Sequence, residues 1–191
     1  MIINEKALAA AMKDSYKGEG YEVAGYSLGE DRFLLLHGVG WMAEMPLANA
    51  PRKILGLMAE HLGVIPGPDE AYRVSKRNGQ QTEIPAMILR EVEKLDNAAE
   101  VSTPEIYEQI PLTYTGHELW QESEGLKIVA ADPDMTQIAR TLDHPVCICG
   151  NTLLWTGKIS RVAVTVENWE DHPALRFLEQ KQWAPGATQT K

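Results

Sequence analysis

Trp41-Met42-Ala43-Glu44-Met45 leads through Asn49-Ala50-Pro51 into the helical run 52–62, and far downstream Val162-Ala163-Val164-Thr165-Val166 leads through Asp171-His172-Pro173 into 174–183. Each copy is an apolar run of strand length, a short polar link carrying Asx-x-Pro, and an amphipathic stretch. Asn or Asp just ahead of a first-turn proline marks a helix start, because the side chain accepts from free N–H groups and proline offers none to satisfy. Identity between the copies is almost confined to the proline, so the likeness is one of architecture. It predicts an α+β protein of two related halves, each a small, mainly antiparallel sheet with helices packed on one face, and it hints at an internal duplication. The expected boundaries are 1–100 for the first half and 111–183 for the second, with 98–111 as the seam and 184–191 as a flexible tail.

Working outward from the first copy, 5–16 reads as an Ala-rich helix ending at Gly18 and Gly20. The stretch 21–28 alternates loosely, turns at Gly29-Glu30-Asp31 and returns as the bulky apolar run 32–37. Gly38-Val39-Gly40 interrupts strand-like sequence and predicts a bulge or bend. Leu55, Met58 and Leu62 share one face of the helix 52–62, which stops at Gly63. A hairpin is expected between 71–75 and 81–84, because Asn78-Gly79 is a strong turn signal. A longer helix follows over 86–97, and Ser102-Thr103-Pro104-Glu105 has the capping-box pattern of a short helix over 104–110. Beyond the seam, 113–122 and 126–131 read as a hairpin, Asp132-Pro133-Asp134 opens a helix to about Leu142, and 146–149, 152–155 and 160–166 are short strands.

Composition bounds the function. The chain has 191 residues, and its 44% hydrophobic content is enough to build a core. With 18 Lys+Arg against 27 Asp+Glu the net charge is -9, which argues against duplex nucleic-acid binding and suits charge-steered contact with a basic partner. No run of some eighteen apolar residues suggests a membrane span, and the N-terminus lacks the apolar core of a signal peptide. Two cysteines make no secreted disulfide framework. These features predict a cytoplasmic protein.

The sharpest chemical cluster is His144-Pro145-Val146-Cys147-Ile148-Cys149, in which His144, Cys147 and Cys149 are the candidate catalytic residues. On a strand the two cysteines share a face and the histidine takes the other, and one residue between cysteines is too few for a zinc knuckle. Buried structural thiols are the favoured reading, with no metal and no cofactor. Glu118, Trp120 and Glu122 share one strand face, read as solvated. His37 reads as a core histidine, since the linear sequence names no carboxylate beside it, and His61 suits the C-terminal end of a helix dipole. Lys76 and Arg77 form the one basic turn of note. Five tryptophans against two phenylalanines supply large rings with a polar handle. Trp41, Trp155 and Trp120 are therefore the candidate contact residues, together with Lys76 and Arg77.

No phosphate loop, dinucleotide fingerprint, nucleophile elbow, Cys-x-x-Cys or His-Glu-x-x-His occurs. The expectation is a non-catalytic binding or accessory protein that acts through a protein–protein surface on another protein or on a second copy of itself. The alternative is a small-molecule enzyme or ligand sensor, with a pocket between the halves served by the His/Cys cluster.

Overall fold

The computed structural model describes residues 3–83, 105–124, 127–139, 145–148 and 151–169, together with Arg90 and Glu93. Five strands come from the first part of the chain: β1 (Tyr21–Leu28), β2 (Asp31–Gly38), β3 (Trp41–Pro46), β4 (Glu70–Ser75) and β5 (Gly79–Glu83). Seven come from the second: β6 (Glu105–Tyr114), β7 (His117–Glu122), β8 (Ile128–Ala131), β9 (Val146–Ile148), β10 (Thr152–Thr156), β11 (Arg161–Thr165) and β12 (Glu167–Asn168). They are hydrogen-bonded in the order β12-β8-β7-β6-β9-β10-β11-β3-β2-β1-β4-β5. All pairings are antiparallel, and the five-stranded and seven-stranded sheets join where Trp41 meets Val164 and Glu44 meets Arg161. The outermost strands do not pair with each other among the described residues, so this is no barrel.

The chain takes the same path in both sheets. β1-β2-β3 is a meander, and after helix α2 (Arg52–Leu62) the chain returns to set β4 beside β1. β6-β7-β8 is likewise a meander, and after helix α3 (Pro133–Thr136) β9 lies beside β6. In this path the counterpart of β3–α2 is β8–α3. The run 174–183, expected to be the second helix of the pair, lies outside the described residues, as do the helix expected over 86–97 (apart from Arg90 and Glu93, both helical and exposed) and the tail 184–191.

Helix α1 (Glu5–Lys17) forms where expected. Asn4 caps it by accepting from the Lys6 and Ala7 amides (3.1 and 3.4 Å), and its run of alanines favours helix. It buries Leu8, Ala9, Ala11 and Met12 against α2 and the inner face of the sheet. α2 buries Ile54, Leu57, Met58 and Leu62, with Leu55 only at the margin, and ends on Gly63 in the left-handed conformation. Its cap differs from expectation: Asn49 lies in a 3-10 turn (Leu47–Asn49) and Pro51 holds the cap position without a side-chain hydrogen bond. Asp132 does cap, accepting from the Asp134 amide at 2.9 Å. The helix it opens is four residues long and passes into a 3-10 turn at Gln137–Ala139, where burial of Ile138 and a hydrogen bond from the Asn4 amide to the Ile138 carbonyl fix the chain.

Residues 105–110 are strand, not the short helix that the capping-box pattern predicts. Glu105 and Ile106 pair with Cys147 and Val146, and Tyr107 enters the core, so sheet pairing overrides the local helix signal. Pro111 is accommodated where the β6–β7 register shifts between Ile110 and Thr113. The stretch 113–122 is broken by a tight turn at Thr115-Gly116, both at positive φ, and 117–122 then pairs with β8. The Asn78-Gly79 hairpin forms as expected, and Gly38-Val39-Gly40 is the β2–β3 hairpin turn, with Gly38 opposite Trp41.

Candidate functional site

Hairpin registers place three ionisable side chains in one row. The β1–β2 turn pairs Leu28 with Asp31, and counting back along both strands brings Glu22 opposite His37. β4 lies on the other side of β1 with Arg73 opposite Glu22. These three project from the face opposite the one that packs on α1, since their neighbours Tyr21, Val23, Leu36 and Val74 belong to the main core. His37 Nδ1 and Glu22 Oε2 are 3.2 Å apart, and Arg73 Nη1 stands 3.6 Å from Glu22 Oε1. The Arg73 guanidinium also donates to the Glu19 carbonyl at 3.4 Å. The hydrogen bond from His37 holds the Glu22 carboxyl below its ordinary value; partial burial opposes this, and the charges of His37 and Arg73 add to the lowering.

The row borders a cavity of about 260 Å³ walled by Gly20, Gly38, Val39 and Gly40. Two of these glycines are sterically required. A Cβ on Gly38 would lie 2.4 Å from the Trp41 ring, and one on Gly20, at φ +97°, would lie 2.6 Å from the Val74 carbonyl oxygen. Trp41 is itself fixed, with its indole N–H donating to Ser15 Oγ at 3.2 Å.

On the same face, the next row holds a buried polar cluster. Glu44 of β3 is 5% exposed and is bonded by the Tyr26 hydroxyl and by Arg161 Nε. Around it lie Ala24, Leu35, Met42, Leu154 and Ala163. On the helix side, Tyr21 and His61 Nδ1 are 3.1 Å apart and Tyr16 stacks on the His61 ring at 3.8 Å. Burial pushes His61 down and Tyr21 up, and the His61 ring, in the last turn of α2, is packed by both tyrosines.

Two further concavities lie elsewhere. One of about 400 Å³ sits where the halves meet, lined by Asn4, Ala7, Ala11 and Asp14 of the first and Asp134 and Met135 of the second. None of the described residues that line it is His or Cys. The other, a groove of about 410 Å³, runs between the tip of the β1–β2 hairpin and the β10–β11 turn, lined by Glu30, Asp31, Phe33, Leu47 and Ile159.

The expected contact tryptophans are core residues. Trp41 and Trp155 are each 2% exposed and Trp120 is 9% exposed, with Trp120 set edge-on to Trp155 at 5.5 Å. Their large apolar area is buried on the inner sheet face, so the rings themselves are not presented to a partner. Among the described residues, Trp120 Nε1 is buried without a hydrogen-bond partner. Glu118 and Glu122 are half-buried rather than solvated, and Glu118 accepts from Thr136 Oγ1 at 2.6 Å. Lys76 and Arg77 are exposed at the β4–β5 tip. His144 and Cys149 lie outside the described residues, while the Cys147 backbone pairs with Glu105 and Leu153 in β9. Among the described residues no three His, Cys, Asp or Glu side chains are grouped to hold a metal ion. No helix among them is long and apolar enough to cross a membrane.

The linear sequence hid the Glu22–His37–Arg73 row, although one signal could have found it. Once Gly29-Glu30 is read as a two-residue hairpin turn, strand parity and counting place Glu22 opposite His37. Neither a protein-family model nor a curated protein matches the chain.

Proposed function

We propose that the chain is a non-catalytic cytoplasmic binding or accessory protein acting through a protein–protein surface, and that the groove beside the β1–β2 tip is that surface. The observation that carries this reading is the exposed apolar material at one end of the sheet. Ile159 is 41% exposed on the groove wall, and Leu28 is 69% exposed on the adjacent hairpin tip. Glu30 and Asp31 form an acidic rim, while Arg32 donates to the Pro66 carbonyl at 3.4 Å. Lys158 is the cation beside Ile159. With the chain at net charge -9, an apolar floor and acidic rim suit a segment with basic and apolar faces.

The test is fluorescence anisotropy with a labelled Lys/Leu amphipathic peptide, over a salt series. Ile159→Asp, or Glu30→Lys with Asp31→Lys, is expected to weaken binding about tenfold, or about 1.4 kcal/mol. Binding that ignores both variants would overturn the assignment. Light scattering on the free protein separates the self-association form of the reading, since a dimer abolished by Ile159→Asp would make a second copy the occupant.

A second reading, a ligand held between the halves, draws on the cavity between α1 and α3. We further propose that the halves share an origin. The parallel is the repeated path of meander, helix and return strand, which supports a repeat offset from the one suggested by the two Asx-x-Pro units. Separate expression of 1–100 and 101–191 tests it, with both fragments expected to fold if each half is a self-sufficient repeat.

A further inference from the structure

We propose that the cavity bordered by Glu22, His37 and Arg73 is a binding site for a small hydroxylated oxyanion, a molecule with a carboxylate or phosphate at one end and a hydroxyl near it. It lies at the far end of β1 from the groove discussed above, roughly 23 Å away for seven steps along a strand, and does not depend on that groove.

The donor set defines the ligand. A guanidinium carries five N–H donors in a rigid fork. Arg73 gives one hydrogen bond, to the Glu19 carbonyl, and its 3.6 Å approach to Glu22 is an ion pair at longer than hydrogen-bond range. The Arg73 side chain is 45% exposed, so the rest of the fork can take an oxyanion in the two-pronged manner that suits carboxylate and phosphate. His37 is oriented by Glu22, its Nδ1–H donating to the carboxylate; whenever the ring is neutral, Nε2 carries a lone pair that can accept from a hydroxyl. Glu22 itself does not repel the ligand strongly, because its charge is flanked by Arg73 on one strand and His37 on the other.

The walls restrict size. Of the wall glycines, Gly40 is the one where a Cβ would meet open space, so a ligand can come close to its backbone. The volume of about 260 Å³ falls below the range of drug-sized pockets, about 300–1,000 Å³, and suits a compact molecule of a few carbons. The Gly38 backbone rests on Trp41, a ring held by Ser15, so the wall is fixed before a ligand arrives.

The experiment titrates glycolate, acetate and inorganic phosphate into the full chain at constant ionic strength, following the His37 ring by NMR. Glycolate is expected to shift the His37 signals saturably and to bind about tenfold tighter than acetate, which lacks the hydroxyl. Arg73→Gln should abolish the response to all three probes while leaving the melting temperature unchanged, and His37→Phe should reduce glycolate to the affinity of acetate, read from the Gly38 and Gly40 amides. No saturable shift with any probe, an undiminished response in Arg73→Gln, or equal binding of glycolate and acetate would each overturn the proposal. Saturation by phosphate but not by glycolate would also overturn it, by showing a bare anion site without the hydroxyl contact.

Discussion

Two polar clusters stand in neighbouring rows on one face of the same sheet, built from similar parts. Glu44, Tyr26 and Arg161 join β3, β1 and β11; Glu22, His37 and Arg73 join β1, β2 and β4. The Glu44 side chain is 7% exposed, and that of Glu22 is 24% exposed. The difference lies in the neighbours. Leu35, Met42 and Ala163 surround Glu44 in an apolar patch, whereas glycines and the open cavity lie beside Glu22. Desolvation makes the first cluster depend on complete pairing, so it fixes the join between the two sheets. The second keeps unused donors in contact with water and can exchange that water for a ligand.

The largest effect is expected at the buried cluster. Glu44→Ala removes the buried ion pair with Arg161 at the β3–β11 join and is expected to cost about 3 kcal/mol, measured as a lowered urea midpoint. A loss no greater than that of Glu22→Ala would break the comparison. Next comes Gly38→Ala, on the cavity wall. The added methyl meets the Trp41 indole, which is rigid, buried and hydrogen-bonded, so an overpacking cost of about 1–3 kcal/mol is expected. The same change at Gly40 meets no atom but is strained at φ +79°, which separates backbone strain from steric collision.

What could be read in the sequence follows from how local each signal is. Helix α1, the end of α2 at Gly63 and the Asn78-Gly79 hairpin depend on caps and turn residues within a few positions, and all three form. The helix expected over 104–110 is lost to pairing with β9, a partner some forty residues away that no local pattern names. Trp41, Trp120 and Trp155 illustrate the limit for function, because residue type alone does not distinguish a contact ring from a core ring. His37 is the opposite case. It reads as a core residue beside Leu34-Leu35-Leu36, yet strand alternation turns it to the other face, where it meets Glu22.

The smallest effect belongs to the open cluster, and pH resolves it. Glu22→Gln is expected to cost less than about 1 kcal/mol at neutral pH, as partly exposed pairs do. Its signature lies in acid. Because the folded carboxyl is held below the ordinary value of 4.5, its stabilisation is fully present above that value and is lost as pH falls through the lower folded value. His61 acts in a separate, higher window: burial lowers its folded value below 6.5, so the unfolded chain takes up the proton first and stability declines as pH drops beneath 6.5. Urea unfolding across pH 3–8 should therefore show two acid-side declines. Glu22→Gln should flatten only the lower one and His61→Phe only the upper. If Glu22→Gln left the lower limb unchanged, the His37 hydrogen bond would not be holding that carboxyl ionised, and the histidine would lose the orientation on which its open nitrogen depends.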